Sequence, residues 1–136
     1  MTRAAALRCI VKMKTKILAI VILISVIGFS AFNSYFLHNE IISFTEKIEA
    51  LEINENNTDK ALVSALEIKA WFRARESYIS LSVNHEDLSN IETIFAELLG
   101  ELEVGRADEA TVAKSRLIDA LHHLGRLSGV NIDTII

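Results

Sequence analysis

The stretch ILAIVILISVIGFSAFNSYFLHN, Ile17 to Asn39, contains no Lys, Arg, Asp or Glu. Nothing else in the chain limits its fold as strongly. As a helix it would span about 34 Å at 1.5 Å per residue, against a hydrocarbon core of roughly 30 Å. Its apolar side chains fall on every side rather than in one stripe, so lipid is the solvent that suits them. Tyr35 and Phe36 suit a membrane–water interface. The sequence therefore predicts a transmembrane helix over residues 17–39, in contact with the lipid bilayer. A cleaved signal peptide is the competing reading, with Gly28-Phe29-Ser30 before the cut. The apolar run is longer than the roughly 7–15 residues of a signal-peptide apolar region, which favours an uncleaved anchor.

The formal charge of −4 hides an asymmetry. Residues 1–16 carry Arg3, Arg8, Lys12, Lys14 and Lys16 and no acid, a charge of +5. The remaining nine basic residues and all 18 acids leave −9 on the rest of the chain. A basic flank before a single span predicts a cytoplasmic N-terminus and an extracytoplasmic segment over residues 40–136, so a single-pass protein of the cell membrane. Met13 opens MKTKILAIV, a second start position that would make residues 1–12 an upstream extension. The one cysteine, Cys9, falls on the cytoplasmic side, so no disulfide can brace the outer part.

Beyond the span, the chain has no proline and few glycines to interrupt helices. Leu37, Ile41, Phe44, Ile48 and Leu51 recur at spacings of 4, 3, 4 and 3, which continues the helix over about 40–53 with one apolar face. Two heptads are short for a free-standing coiled coil, so that face is expected to pack on the protein's own bundle. NENNTD, residues 54–59, is the first loop, with Asn57 or Thr58 placed to cap a helix over 59–82. Ala61, Leu62, Ala65, Leu66, Ile68, Phe72 and Ile79 form its apolar face, widened by Trp71 and Tyr78. Leu88, Ile91, Phe95, Leu98 and Leu102 mark a helix over 85–103 that Gly105 can end. Asp108 is placed as N-cap of a helix over 109–128 carrying Ala113, Leu117, Ala120, Leu121, Leu124 and Leu127, with Gly129 as its C-terminal cap. The apolar tail VNIDTII is expected to dock back on the bundle. The fold class is all-α: one N-terminal transmembrane helix continuing into a small antiparallel helical bundle.

SVNHEDLSNI, Ser82 to Ile91, sets a histidine and two acids in a row. With Asn84 as N-cap, His85, Glu86 and Asp87 become the first helical turn, where the dipole favours the two acids. Val83 and Leu88 then stand at hydrophobic-staple spacing. One assignment accounts for five consecutive side chains, so a helix start is favoured over a metal or acid–base site. The weak metal candidates are His85 together with Asp119 and His122 of DALHHLG. Neighbouring His122 and His123 point about 100° apart and cannot chelate one ion together. Di-iron bundles repeat a Glu-x-x-His on two helices, and here one Asp-x-x-His stands without a second copy. No metal and no cofactor is expected.

KAWFRARE places Lys69, Arg73 and Arg75 around Trp71 and Phe72. It reads as a solvated face with a buried tryptophan, with Arg73 and Glu76 spaced to pair along the helix. There is no glycine-rich phosphate loop, no nucleophile elbow, and Lys114 and Ser115 face different ways on a helix. The one strongly basic segment is the short membrane flank, so nucleic-acid binding is not expected.

VNHEDLSNIETIFAELLGEL, RLIDALHHLGRL and the closing NIDTII, behind a basic start, one membrane helix and a tryptophan on the first outer helix, resemble an uncharacterised bacterial family. It is called domain of unknown function 4363 and is found largely in Gram-positive spore-formers. The resemblance covers the chain from about Met13 and leaves out residues 1–12. It implies a small membrane-anchored envelope protein and carries no catalytic residue. The leading expectation is a non-catalytic protein whose outer bundle binds another envelope protein. The alternative is an extracytoplasmic ligand-sensing module acting through a membrane partner, and a third class is a metal-dependent enzyme.

Overall fold

With no proline to remove a backbone donor, nothing breaks the helix that begins at Arg3, and α1 runs Arg3–Glu49. The structure, a computed structural model, describes residues 2–128. It adds α2 (Thr58–Ser80), α3 (His85–Glu103) and α4 (Ala107–Ser128), with no strand among the described residues. The chain divides into two compact units, with the boundary between Asn33 and Ser34.

In the first unit every apolar residue of Ile17–Phe32 is exposed, and α1 is long and apolar enough to cross a membrane. The exposed run ends earlier than the Asn39 expected from charge alone. Leu37 is only 3% exposed and belongs to the core of the second unit. Absence of charge does not distinguish a lipid-facing residue from a buried one.

The second unit is an up-down-up-down four-helix bundle built from the Ser34–Glu49 part of α1 with α2, α3 and α4. Its antiparallel order can be followed in the side chains. Along α1, Phe36, Glu40 and Phe44 meet Tyr78, Arg75 and Phe72 in turn. Leu37, Ile41, Phe44, Ile48 and Leu51 are all buried, as are Leu88, Ile91, Phe95, Leu98 and Leu102 of α3. Thr45, the one buried polar side chain among the described residues, returns its hydroxyl to the Ile41 carbonyl at 2.8 Å, so its burial leaves no donor unpaired.

Two expected core residues are outside. Leu66 is 48% and Leu127 55% exposed, because each lies past the edge of the arc its helix turns to its neighbours. On α2 the apolar stripe is interrupted at the level of Arg75 and Glu76, which reach across to other helices instead.

Helix ends correct the expectations in three places. α1 stops at Glu49 rather than Ile53, because Leu51 turns inward to 4% exposure. Lys114 of α4 then donates to the carbonyls of Glu49 (3.2 Å) and Leu51 (2.7 Å), satisfying acceptors that the helix end leaves open. Asn57, not Thr58, holds the cap position of α2, and Thr58 is its first residue. Asn57 makes no cap bond; its Oδ1 accepts from the Asn54 amide at 2.7 Å and so pins the preceding loop. Asp108 is likewise inside α4, whose first residue is Ala107 and whose first-turn acids are Asp108 and Glu109. It favours the helix through the dipole rather than as a cap.

That third difference follows from Gly105. With φ at 77° it closes a Schellman motif, in which the Arg106 amide donates to Glu101 O (2.9 Å) and the Gly105 amide to Leu102 O (3.2 Å). The turn is complete in three residues, and α4 starts at once. A Cβ at Gly105 meets nothing nearer than Thr58 Oγ1 at 3.9 Å, so a substitution is opposed by backbone conformation, not by a clash. Gly105→Ala is expected to cost about 1–2 kcal/mol in a denaturant titration. A loss under a few tenths would show that the turn relaxes. Gly129 and the tail VNIDTII lie outside the described residues.

Candidate functional site

Asn84 has φ −57° and ψ 134°, outside the helical region, and its Oδ1 accepts from the Glu86 amide at 3.3 Å. Leu88 donates to the Asn84 carbonyl at 3.1 Å, the first helical bond of α3. Leu88 is buried and Val83 packs half-buried against the same core, at the two ends of the staple spacing. His85 opens α3 on the surface.

Asp119 and His122 do share a cleft, but not with His85. The cleft measures about 1050 Å³ and lies between the outer part of α1 and α4. Ile41, Ile42 and Leu121 line its apolar wall, and His38, Glu46, Glu49, Asp119, His122 and Arg126 bring polar groups. His122 Nε2 is 3.8 Å from Glu49 Oε1, an ion pair whenever the imidazole is protonated. His38 Nδ1 is buried with no hydrogen-bond partner. Among the described residues no group of three or more His, Cys, Asp and Glu is placed to hold a metal ion. Glu46 and Glu49 were not singled out from the sequence. Their i, i+3 spacing on α1 is the one trace of the cleft there.

A second groove, between α2 and α3, is floored by Phe44, Phe72, Ile91 and Phe95 and edged by Lys69, Arg73, Glu76 and Glu92. Glu76 of α2 faces Glu92 of α3 across this groove. The Glu92 carboxyl is held above the usual carboxylate range, first by desolvation, then by the hydrogen bond and the charge of Glu76. His85 and Arg73 pull the other way. Because the folded value is raised, the folded state binds the extra proton, and the stability this supplies is complete below the ordinary glutamate value. It is lost as pH rises through the raised value. Glu92→Gln is therefore expected to stabilise the bundle at pH 7 by a few tenths of a kcal/mol after solvent screening, and to have no such effect at pH 4. Thermal melts at the two pH values read the difference. A gain that is larger in acid would refute the raised Glu92 carboxyl.

Trp71 anchors the third face. Its ring packs 5.9 Å from Phe44, with the Arg75 guanidinium 4.3 Å and the Lys47 ammonium 5.3 Å from its centroid. Arg75 also holds Glu40, Nε to Oε2 at 2.8 Å, in a Coulombic contact off the hydrogen-bonding axis. Both cations are engaged on the Trp71 ring at the surface of the bundle. Both Lys47 and Trp71 edge a cleft of about 530 Å³ between α2 and the residues 50–57 turn, together with Lys60, Glu52 and Glu67.

Fold and clefts together define a class: an antiparallel four-helix bundle on a chain that also carries one helix apolar and long enough to cross a membrane. No family model matches the chain, and neither a curated protein nor a solved structure matches it.

Proposed function

We propose that this chain is a single-pass membrane protein of the cell envelope, its N-terminus cytoplasmic and its bundle outside, and that the bundle docks on another envelope protein without catalysing a reaction. The family resemblance implies the membrane-anchored envelope protein, and the docking role is added to it here. The observation that carries the reading is the contrast between the two units. Residues 17–32 expose an unbroken apolar surface that only lipid suits, while residues 34–128 bury a complete core of their own. On the bundle, Val63 and Leu66 of α2 and Leu81 just past its end are 57%, 48% and 84% exposed. They give α2 an apolar outer side on which a partner helix can pack.

A photo-crosslinking residue at Val63 or Leu66 of the full chain, activated in native membranes, tests this. One recurrent partner is expected from these positions and none from exposed Ser115 on α4. Equal capture from all three, or none, would remove the docking role. Protease accessibility of the bundle in sealed membranes reads the orientation separately.

The cleft between α1 and α4 favours a second reading, a sensing module that takes a small cationic ligand between Glu46, Glu49 and Asp119 and signals through a partner. A thermal shift with small amines that disappears in Glu49→Gln supports it.

A further inference from the structure

We infer that the basic segment of α1 is a recognition surface for anionic phospholipid headgroups, carried mainly by Arg8, Lys12 and Lys16. The inference rests on the membrane reading above and goes beyond it, since a bilayer anchor alone has no preference among lipids.

The chain is helical from Arg3, so the positions of these side chains are fixed relative to one another. Arg8, Lys12 and Lys16 are successive i, i+4 neighbours and form one stripe, with adjacent Cβ atoms about 5–6 Å apart. All three are exposed, and no acid occurs before Glu40 to neutralise them. Leu7, Ile10 and Val11 lie toward the other side of the same helix, 61%, 45% and 60% exposed. Arg3 and Lys14 fall on that other side too. A charge count alone would orient a span in the membrane. It would not require three of five cations to be stacked one turn apart.

The distances fit a headgroup layer. Ile17 opens the uncharged run. Headgroups add roughly 5–8 Å to each side of the hydrocarbon, and a helix rises 1.5 Å per residue. A helix continuing straight out of the bilayer puts Lys16 and Lys12 within that layer. Arg8 stands about 12 Å above Lys16, so within about one Debye length of the outer phosphates at physiological salt. The long lysine stems can lie along apolar surface while the ammonium groups meet phosphate. Each such charge at the surface favours anionic over zwitterionic lipid by about fivefold.

Cys9, the sole cysteine, is exposed and adjoins the stripe, so the native chain takes a single fluorophore there. The full chain, labelled at Cys9, is reconstituted in phosphatidylcholine vesicles containing one fifth phosphatidylglycerol. Energy transfer is then compared between trace acceptors on each lipid. The native chain is expected to transfer several-fold more to the anionic acceptor in low salt and equally to both in 0.5 M salt. R8Q/K12Q/K16Q is expected to transfer equally at every salt, while R3Q/K14Q keeps most of the preference. Equal transfer by the native chain in low salt overturns the inference, as does R3Q/K14Q losing as much as the triple variant. Alkaline extraction of the same vesicles separates the two claims. A chain that is extracted overturns the membrane reading itself, whereas one that stays inserted without lipid preference overturns only the stripe.

Discussion

Phe44→Ala lowers the stability of the bundle by about 3–5 kcal/mol, the expected cost of emptying a fully packed aromatic site. Phe44 is 3% exposed and its ring meets three others: Phe72 stacked at 5.0 Å, Trp71 at 5.9 Å, and Phe95 edge-on at 6.0 Å. Those partners belong to α2 and α3, so one side chain of α1 closes the centre of the bundle. For a unit of this size each kcal/mol moves the melting temperature by roughly 4–8 °C, and a fall of at least 12 °C follows. Trp71 is the sole tryptophan and sits beside the cavity, so its fluorescence reports the same transition as helical circular dichroism. Phe44→Leu keeps part of the volume but loses the ring geometry, and is expected to cost about half as much. A drop below 1 kcal/mol for the alanine variant would mean that the neighbouring rings refill the site.

The second large effect is on insertion. Between Ile17 and Phe32 stand eleven Leu, Ile, Val and Phe residues. At about 0.3–0.6 kcal/mol each they favour the membrane by ~3–7 kcal/mol, and an aspartate at mid-span opposes it by about 2.5–3.5. Ile24→Asp with Ile27→Asp therefore cancels the preference, and the chain is expected to leave the membrane on alkaline extraction. Ile24 and Ile27 are 65% and 59% exposed, and Val63 and Leu66 of α2 are 57% and 48%. Exposure is similar, but the proposed solvent is not. Val63→Asp with Leu66→Asp should leave extraction unchanged and abolish partner capture by a photo-crosslinking residue at exposed Ala70. If the span variant remains in the membrane fraction, the first unit is not a lipid anchor.

What could be read from the sequence divides by distance along the chain. The 4-3-4-3 spacing of Leu37 to Leu51 placed all five residues in the core, because helical periodicity is a local property. Asn84 was legible for the same reason: a cap, a first turn and a staple fit within six residues. Asp108 was misplaced because a good N-cap residue also suits the first turn, and only the positive φ of Gly105 shows how soon the chain turns back. Leu66 and Leu127 were assigned to the core on hydrophobicity, whereas the width of the buried arc depends on neighbours that periodicity does not reveal. The polar ties were beyond reach. Glu40 to Arg75 and Lys114 to Leu51 each join segments far apart in the chain, and no spacing rule pairs such residues. The cleft shared by Glu49, Asp119 and His122 was half visible, as an Asp-x-x-His on one helix, without its other wall.

The ammonium of Lys114 has a bearing on the order of folding. It closes a loop of more than sixty residues by gripping the carbonyls where α1 ends. Contacts of such long range form slowly, because chain entropy must be lost before they form. As the chain emerges from synthesis, α2 and α3 can cover one side of the outer part of α1, but the side facing α4 stays open until α4 has been made. A pause before residue 107 should therefore leave α1 open to proteolysis or to chaperone capture, while a pause after residue 128 should not.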